Sequence, residues 1–135
     1  ISKKDFILNF DQDSNPKKIS KSIEIVYGLR NFIGNANKFA KNSIFINLKS
    51  DSEFTELTVE DDGNGYPRDI ISKIGEPYLK SNYSIDKSKE GLGLGLFIGK
   101  TLLEKNFASV NCRNSKTRSG AEVIIRWKNK ELFNI

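Results

Sequence analysis

The chain has 135 residues, a net charge of +5 and 37% apolar residues, which suits one domain with a single core. It has no histidine and a single cysteine, Cys112, which excludes Ser-His-Asp and Cys-His catalysis, nearly every zinc site and any intrachain disulfide. Its lysines and arginines are scattered with no aromatic interleaving, so no nucleic-acid partner is expected, and no apolar run approaches membrane-spanning length.

In chain order, "DFILNF" (5–10) alternates as a short strand should, and "DSNPKK" turns. From Ser22 to Ala40, apolar residues fall at 25, 29, 32, 36 and 39/40, the spacing of a helix with one buried face. "SIFINLK" (43–49) and "ELTVED" (56–61) read as strands joined by the polar turn "SDSEF". "DDGNG" must turn, and Pro67 then opens a short helix, "PRDIISKI". Residues 79–90, "LKSNYSIDKSKE", carry few apolar side chains and read as a long mobile loop. A helix from about 93 to 105 follows, then strands near 108–113 and 121–128 around the turn "SKTRSG". Cys112 sits in the strand-like "SVNCR" and reads as a buried structural thiol, with a redox role as the alternative. The order predicts an α+β domain: a mixed, mainly antiparallel sheet with helices on one face, two layers in all. The chain begins at Ile1 without an initiator methionine, so residues 1–135 are expected to form one domain of a longer protein.

Three stretches ask for more than packing. "KEGLGLGLFIGK" (89–100) places alternate glycines at 91, 93 and 95 directly before a helical run. A dinucleotide fingerprint beginning at Gly93 would need glycine at 96, which is leucine, and a P-loop ending in "GKT" would need glycine at 94, also leucine. What remains is a generic anion cradle at a helix start, or a flexible surface loop. "NFIGNANKF" sets Asn31, Asn35 and Lys38 on one stripe of an amphipathic helix, either facing something polar or merely solvated. "VEDDGNGYP" ends a strand at Asp61 over a glycine turn, where a carboxylate can accept from an amine or simply brace the turn.

Taken in order, these boxes resemble the ATP-binding catalytic domain of sensor histidine kinases, in the GHKL superfamily. "NFIGNANKF" resembles its N box, "DDGNG" and "GLGLGL" its two glycine boxes, and "SGAEVIIRW" its closing strand. "GEPYLKS" followed by "EGLGLGLFIGKTLLEK" is similar to the redox-responsive RegB/PrrB type. The resemblance implies the Bergerat ATP-binding fold, a two-layer α/β sandwich, with ATP and Mg²⁺ as ligands. It assigns the metal to Asn35 with Asn31 in support, phosphate charge to Lys38, and adenine packing to Phe39. Asp61 would accept from the adenine amine, with Gly63 and Gly65 letting the backbone approach the base. A lid over residues 79–95, with Lys89, Gly91, Leu92, Gly93, Leu94, Gly95 and Leu96 at its end, would close over the triphosphate. The family's phenylalanine-rich box is replaced by "IGEPYL", which leaves Tyr78 to anchor there, and Lys80, Lys87 and Lys89 are rival partners for the γ-phosphate.

ATP-hydrolysing relatives carry glutamate where this chain has Asn31, so hydrolysis by the domain alone is expected to be poor. With no histidine present, the phosphoryl acceptor would lie in dimerisation helices elsewhere in a homodimeric kinase, with a response-regulator receiver domain downstream. The domain would then be the cytoplasmic part of an inner-membrane sensor, touching membrane only through other segments. A serine-directed anti-sigma-type kinase and a non-enzymatic ATP-gated interaction module are the alternatives.

Overall fold

Ser22 opens the first helix by receiving the N–H of Ile25 on its hydroxyl at 3.3 Å, with its own backbone extended. In the computed structural model, which describes residues 4–10, 22–71 and 92–132, this helix is α1, Ile23–Phe39. Its apolar spacing does what the sequence implies: Gly28, Phe32 and Ala36 are buried on one face. Its last turn is held from outside, because the Lys4 ammonium donates to the carbonyls of Asn37 (2.6 Å) and Lys38 (3.4 Å). A cation at the carbonyl end also suits the helix dipole.

Five strands form one sheet: β1 (Asp5–Phe10), β2 (Ser43–Ser50), β3 (Phe54–Asp61), β4 (Ser109–Asn114) and β5 (Ala121–Lys128), in the order β1-β2-β3-β5-β4. β1 and β2 run parallel, as a strand–helix–strand crossover through α1 requires, and every other pair is antiparallel. The remaining helices are α2 (Arg68–Ile71), α3 (Leu92–Lys105) and α4 (Asn129–Leu132).

Register decides which residues meet the helices. The row through Ile46, Val59, Val123 and Cys112 lies on the covered face, as does the row through Leu57, Ile125 and Val110. Phe32, Leu96 and Leu103 of the helices pack with Val123, Ile125 and Trp127 in one buried cluster, and Ala36, Ala40, Ile44 and Val59 form a second. The outer face is polar and cross-linked by charge. Arg113 meets Glu122 at 2.5 Å, Lys49 meets Glu56 at 4.0 Å, and the Arg118 guanidinium lies over Phe45 while reaching Glu60 at 3.4 Å. Of these, the Lys49–Glu56 pair is exposed and adds little to stability.

The mixed sheet with helices on one face is the expected α+β arrangement. The β2–β3 hairpin is longer than expected, reaching Ser50 and restarting at Phe54, because Asp51 closes the turn in three residues. Its carboxylate accepts the N–H groups of Glu53 (2.8 Å) and Phe54 (2.7 Å). α3 starts at Leu92, one residue before the expected helix start, so Gly93 and Gly95, also expected at the end of a lid, are helical. The reason is packing between helices. A Cβ on Gly99 would stand 2.8 Å from the Phe32 ring, and one on Gly28 would stand 2.7 Å from Leu103 Cγ. Small residues at these crossings let α1 and α3 approach more closely than side chains would permit, which offsets their poor helix propensity.

Candidate functional site

A cleft opens where α1 crosses the ends of β3 and β5. Phe32, Ala36 and Phe39 of α1 make one wall, Val59 and Val123 the floor, and Tyr66 with Pro67 the far side. Two polar side chains, Asn35 and Asp61, interrupt this apolar lining.

Asp61 arrives there by register. It pairs with Ile44 on the covered face, so the last residue of β3 turns its carboxylate under α1 and is 97% buried by its 3% exposure. Oδ1 accepts the N–H of Gly63 at 2.8 Å and that of Ala121 at 3.3 Å. Burial pushes the carboxyl above its usual range, and these two amide bonds offset that only in part. The surrounding backbone is tight: a Cβ on Gly120 would stand 2.0 Å from the Asp61 carbonyl oxygen, and one on Gly63 would stand 2.2 Å from that of Phe39.

Asp62 faces the other way and ties the turn to the rest of the domain. One oxygen accepts three successive N–H groups, Lys41 (2.8 Å), Asn42 (3.0 Å) and Ser43 (3.2 Å), fixing the path from α1 into β2. Burial is the largest single influence on the Asp62 carboxyl and raises it, but the amides together outweigh it and hold it below the usual aspartate range.

On the helix side, Asn35 Nδ2 is buried and has no hydrogen-bond partner among the described residues. A Cβ on Gly95 would lie 3.3 Å from that nitrogen, 3.5 Å from Asn35 Oδ1 and 3.7 Å from Asn31 Oδ1. The second glycine box therefore backs directly onto the N box. Asn31 donates its amide to the Tyr27 carbonyl one turn back at 2.8 Å, which aims the carboxamide along its own helix. Lys38 is exposed with its ammonium 5.3 Å from the Phe39 ring centre, and Phe39 is partly buried at the cleft. Leu96 is wholly buried in the core beside Phe32, so its side chain packs the helix pair. Gly65 lies on the cleft with φ +78°, a conformation that glycine adopts without strain. Leu92, Gly93 and Leu94 lie in the first turn of α3, whereas Tyr78, Lys80, Lys87, Lys89 and Gly91 fall outside the described residues.

A carboxamide whose buried nitrogen has no partner among the described residues, set in an apolar cleft with a buried carboxylate, fits a ligand that is flat and apolar with polar edges. The carboxamide oxygen of Asn35 also has the chemistry to ligate a hard cation. The model for the histidine kinase-, DNA gyrase B- and HSP90-like ATPases matches residues 20–131. The chain belongs to this ATPase family.

Within the family, the domain is similar to the sensor histidine kinase RegB of Cereibacter sphaeroides, 36% identical over 108 residues. That alignment covers 76% of this chain and 23% of RegB, so the chain spans about a quarter of its relative's length. Its fold matches the catalytic domain of histidine kinase ThkA with a TM-score of 0.73 at 22% identity, over 92% of this chain and 79% of that one. It also matches full-length ShkA, solved in complex with AMPPNP, with a TM-score of 0.67 at 22% identity, over 90% of this chain and 25% of that one. This is an ATPase domain of the sensor histidine kinase kind.

The structure adds residues to the site that the motifs did not single out. Tyr66, Pro67 and Ala121 line the cleft, Asn114 holds its far wall in place, and Asp62 ties the turn after β3 to the segment leading from α1 into β2. Asp62 had a signal in the doubled acid of "DDGNG"; Asn114 had none, being 48 residues from its partner.

Proposed function

We propose that the domain binds Mg-ATP in this cleft and donates the γ-phosphoryl group to a histidine on a separate dimerisation segment of the same kinase. The buried Asn35 Nδ2 on the cleft, without a partner among the described residues, carries the reading, because a buried polar atom without a partner costs about 1–3 kcal/mol and is retained where a ligand meets it. Asp61 reads the base: its carboxylate accepts from the adenine amine, while guanine presents a carbonyl oxygen there, acceptor against acceptor. Asn35 supplies the oxygen that holds Mg²⁺, with Lys38 near the phosphates and Phe39 against the base. When bound, the cation neutralises phosphate charge. The protein's own contribution is positioning, which is most of what phosphoryl transfer needs.

Asn31 is no base and its amide is engaged with Tyr27, so water is not activated and hydrolysis stays slow. The acceptor histidine lies outside these residues, since the chain contains none. The onward partner is a response-regulator receiver domain, and the kinase works as a homodimer on the cytoplasmic side of an inner membrane. No described helix is long and apolar enough to cross a membrane, so anchoring falls to other segments.

The test uses ATP labelled in the γ position, with the domain alone and with the upstream helices added. Acid-labile label on the helices, and none on the domain, is the expected result. Acid-stable label on the domain itself would instead mean a hydroxyl acceptor and overturn the histidine reading. Binding should also favour ATP over GTP by about ten- to a hundredfold, the factor for one mispaired buried polar group.

A further inference from the structure

The far wall of the cleft is not part of the sheet. β3 ends at Asp61 and α2 begins at Arg68, and between them Gly65, Tyr66 and Pro67 run along the cleft with no strand partner. Yet both backbone groups of Tyr66 are paired. The Tyr66 N–H donates to Asn114 Oδ1 at 2.6 Å, and Asn114 Nδ2 donates to the Tyr66 carbonyl at 3.1 Å. Asn114 is the last residue of β4, the edge strand. Its carboxamide offers the same donor–acceptor pair that a neighbouring strand would.

We propose that Asn114 is a positioning residue for nucleotide binding: it acts as one residue of a missing strand and fixes the wall at Gly65–Pro67 at the width the base requires. The proposal rests on the nucleotide reading above. The two bonds hold Tyr66, whose ring is buried against the core and whose backbone borders the cleft. They also fix Gly65, where a Cβ would stand 2.7 Å from Asn114 Oδ1. Only a carboxamide fills the role at this length. Aspartate would still accept from the Tyr66 N–H but would set an oxygen against the Tyr66 carbonyl, and alanine would leave both groups unmatched.

The test compares Asn114→Ala, Asn114→Asp, Gly65→Ala and the Asn114→Ala/Gly65→Ala pair with the wild-type domain. Calorimetry gives ATP affinity, and amide hydrogen exchange reports on Tyr66 and on the β5 amides. Asn114→Ala should lose about tenfold in ATP affinity, with faster exchange at Tyr66 and unchanged protection at Val123 and Ile125. Asn114→Asp should fall between alanine and wild type. Gly65→Ala should cost less affinity in the Asn114→Ala background than alone, because the clash with Oδ1 is gone. Wild-type affinity in Asn114→Ala overturns the proposal. So does a loss of affinity accompanied by lost protection along β5, which would be general destabilisation. A wild-type domain that does not bind ATP overturns the nucleotide reading itself, and the two failures are told apart by that control.

Discussion

At the end of the sheet where β2 turns into β3, Asp51 closes the hairpin and Asn129 locks it: the Asn129 amide donates to the Asp51 carbonyl at 2.7 Å and its oxygen accepts from the Thr55 hydroxyl at 2.7 Å. Thr55 in turn meets the Ser50 hydroxyl at 2.8 Å. The opposite end uses the same residue types, an aspartate turn and an asparagine, but Asn35 Nδ2 has no partner among the described residues and the Asp61 carboxyl is pushed above its usual range. One end pairs its polar groups with one another; the other leaves Asn35 Nδ2 without such a partner, which is what the proposed ligand would meet. Trp127 shows that an orphan donor alone does not mark a site. Its indole N–H is also buried without a partner among the described residues, but it sits in the apolar cluster and not on the cleft.

The sharpest way to break the functional end is through its backbone. Gly120→Ala would drive a Cβ to 2.0 Å from the Asp61 carbonyl, and neither backbone can move aside without shifting Asp61. Overpacking of this kind costs about 3 kcal/mol, so thermal or chaotrope unfolding should show a loss of that size. ATP binding should go with it, because Asp61 is displaced. A variant as stable as the wild type would mean that the turn is looser than the structure describes.

Exchanging the two asparagines sharpens the comparison. Asn129→Ala strands the Asp51 carbonyl and takes from the Thr55 hydroxyl one of its two partners, and should cost about 1–3 kcal/mol of stability, with ATP affinity unchanged. Asn35→Ala removes a carboxamide whose Nδ2 has no partner among the described residues, so stability should hold while Mg²⁺-dependent ATP affinity falls about tenfold, roughly 1.4 kcal/mol. Paired calorimetry and unfolding curves on both variants check this. If both lose stability and neither loses affinity, the two ends do not differ as argued.

Much of this was legible beforehand, for a physical reason. α1 and the strands follow hydrophobic period, and Asn35 and Asp61 lie in local motifs whose residue types are wrong for mere packing. The cleft's supports were not legible, because they are long-range. Nothing near Asn114 announces Tyr66, nothing near Gly120 announces the Asp61 carbonyl, and the three amides on Asp62 come from the far end of α1. Gly95 reads locally as flexibility, and Gly99 draws no reading beyond its place in a helix. Only the helix they approach shows that they mark close packing.

The smallest effect, and the most discriminating, is on pH. Asp61 is raised above the ordinary aspartate value of 3.8, with burial as the chief cause, and Asp62 is lowered below it because three amide bonds outweigh its burial. For Asp61, the folded state holds the proton more tightly than the unfolded chain. Its contribution to stability is therefore complete below 3.8 and is lost as pH rises through the raised value. For Asp62 the sign reverses: its contribution is present above 3.8 and is lost as pH falls through its lowered value. Just above pH 3.8, therefore, Asp61 is substantially protonated while Asp62 still braces the turn. On the proposed contact between the Asp61 carboxylate and the adenine amine, ATP affinity should weaken there by up to about tenfold for each pH unit below the Asp61 pKa, without unfolding. ATP itself takes up protons in this range, which makes Asp61→Asn the required control. The ratio of wild-type to variant affinity should fall with acid and recover on return to neutral pH. A constant ratio across that window would remove Asp61 as the base-reading group, whatever its burial.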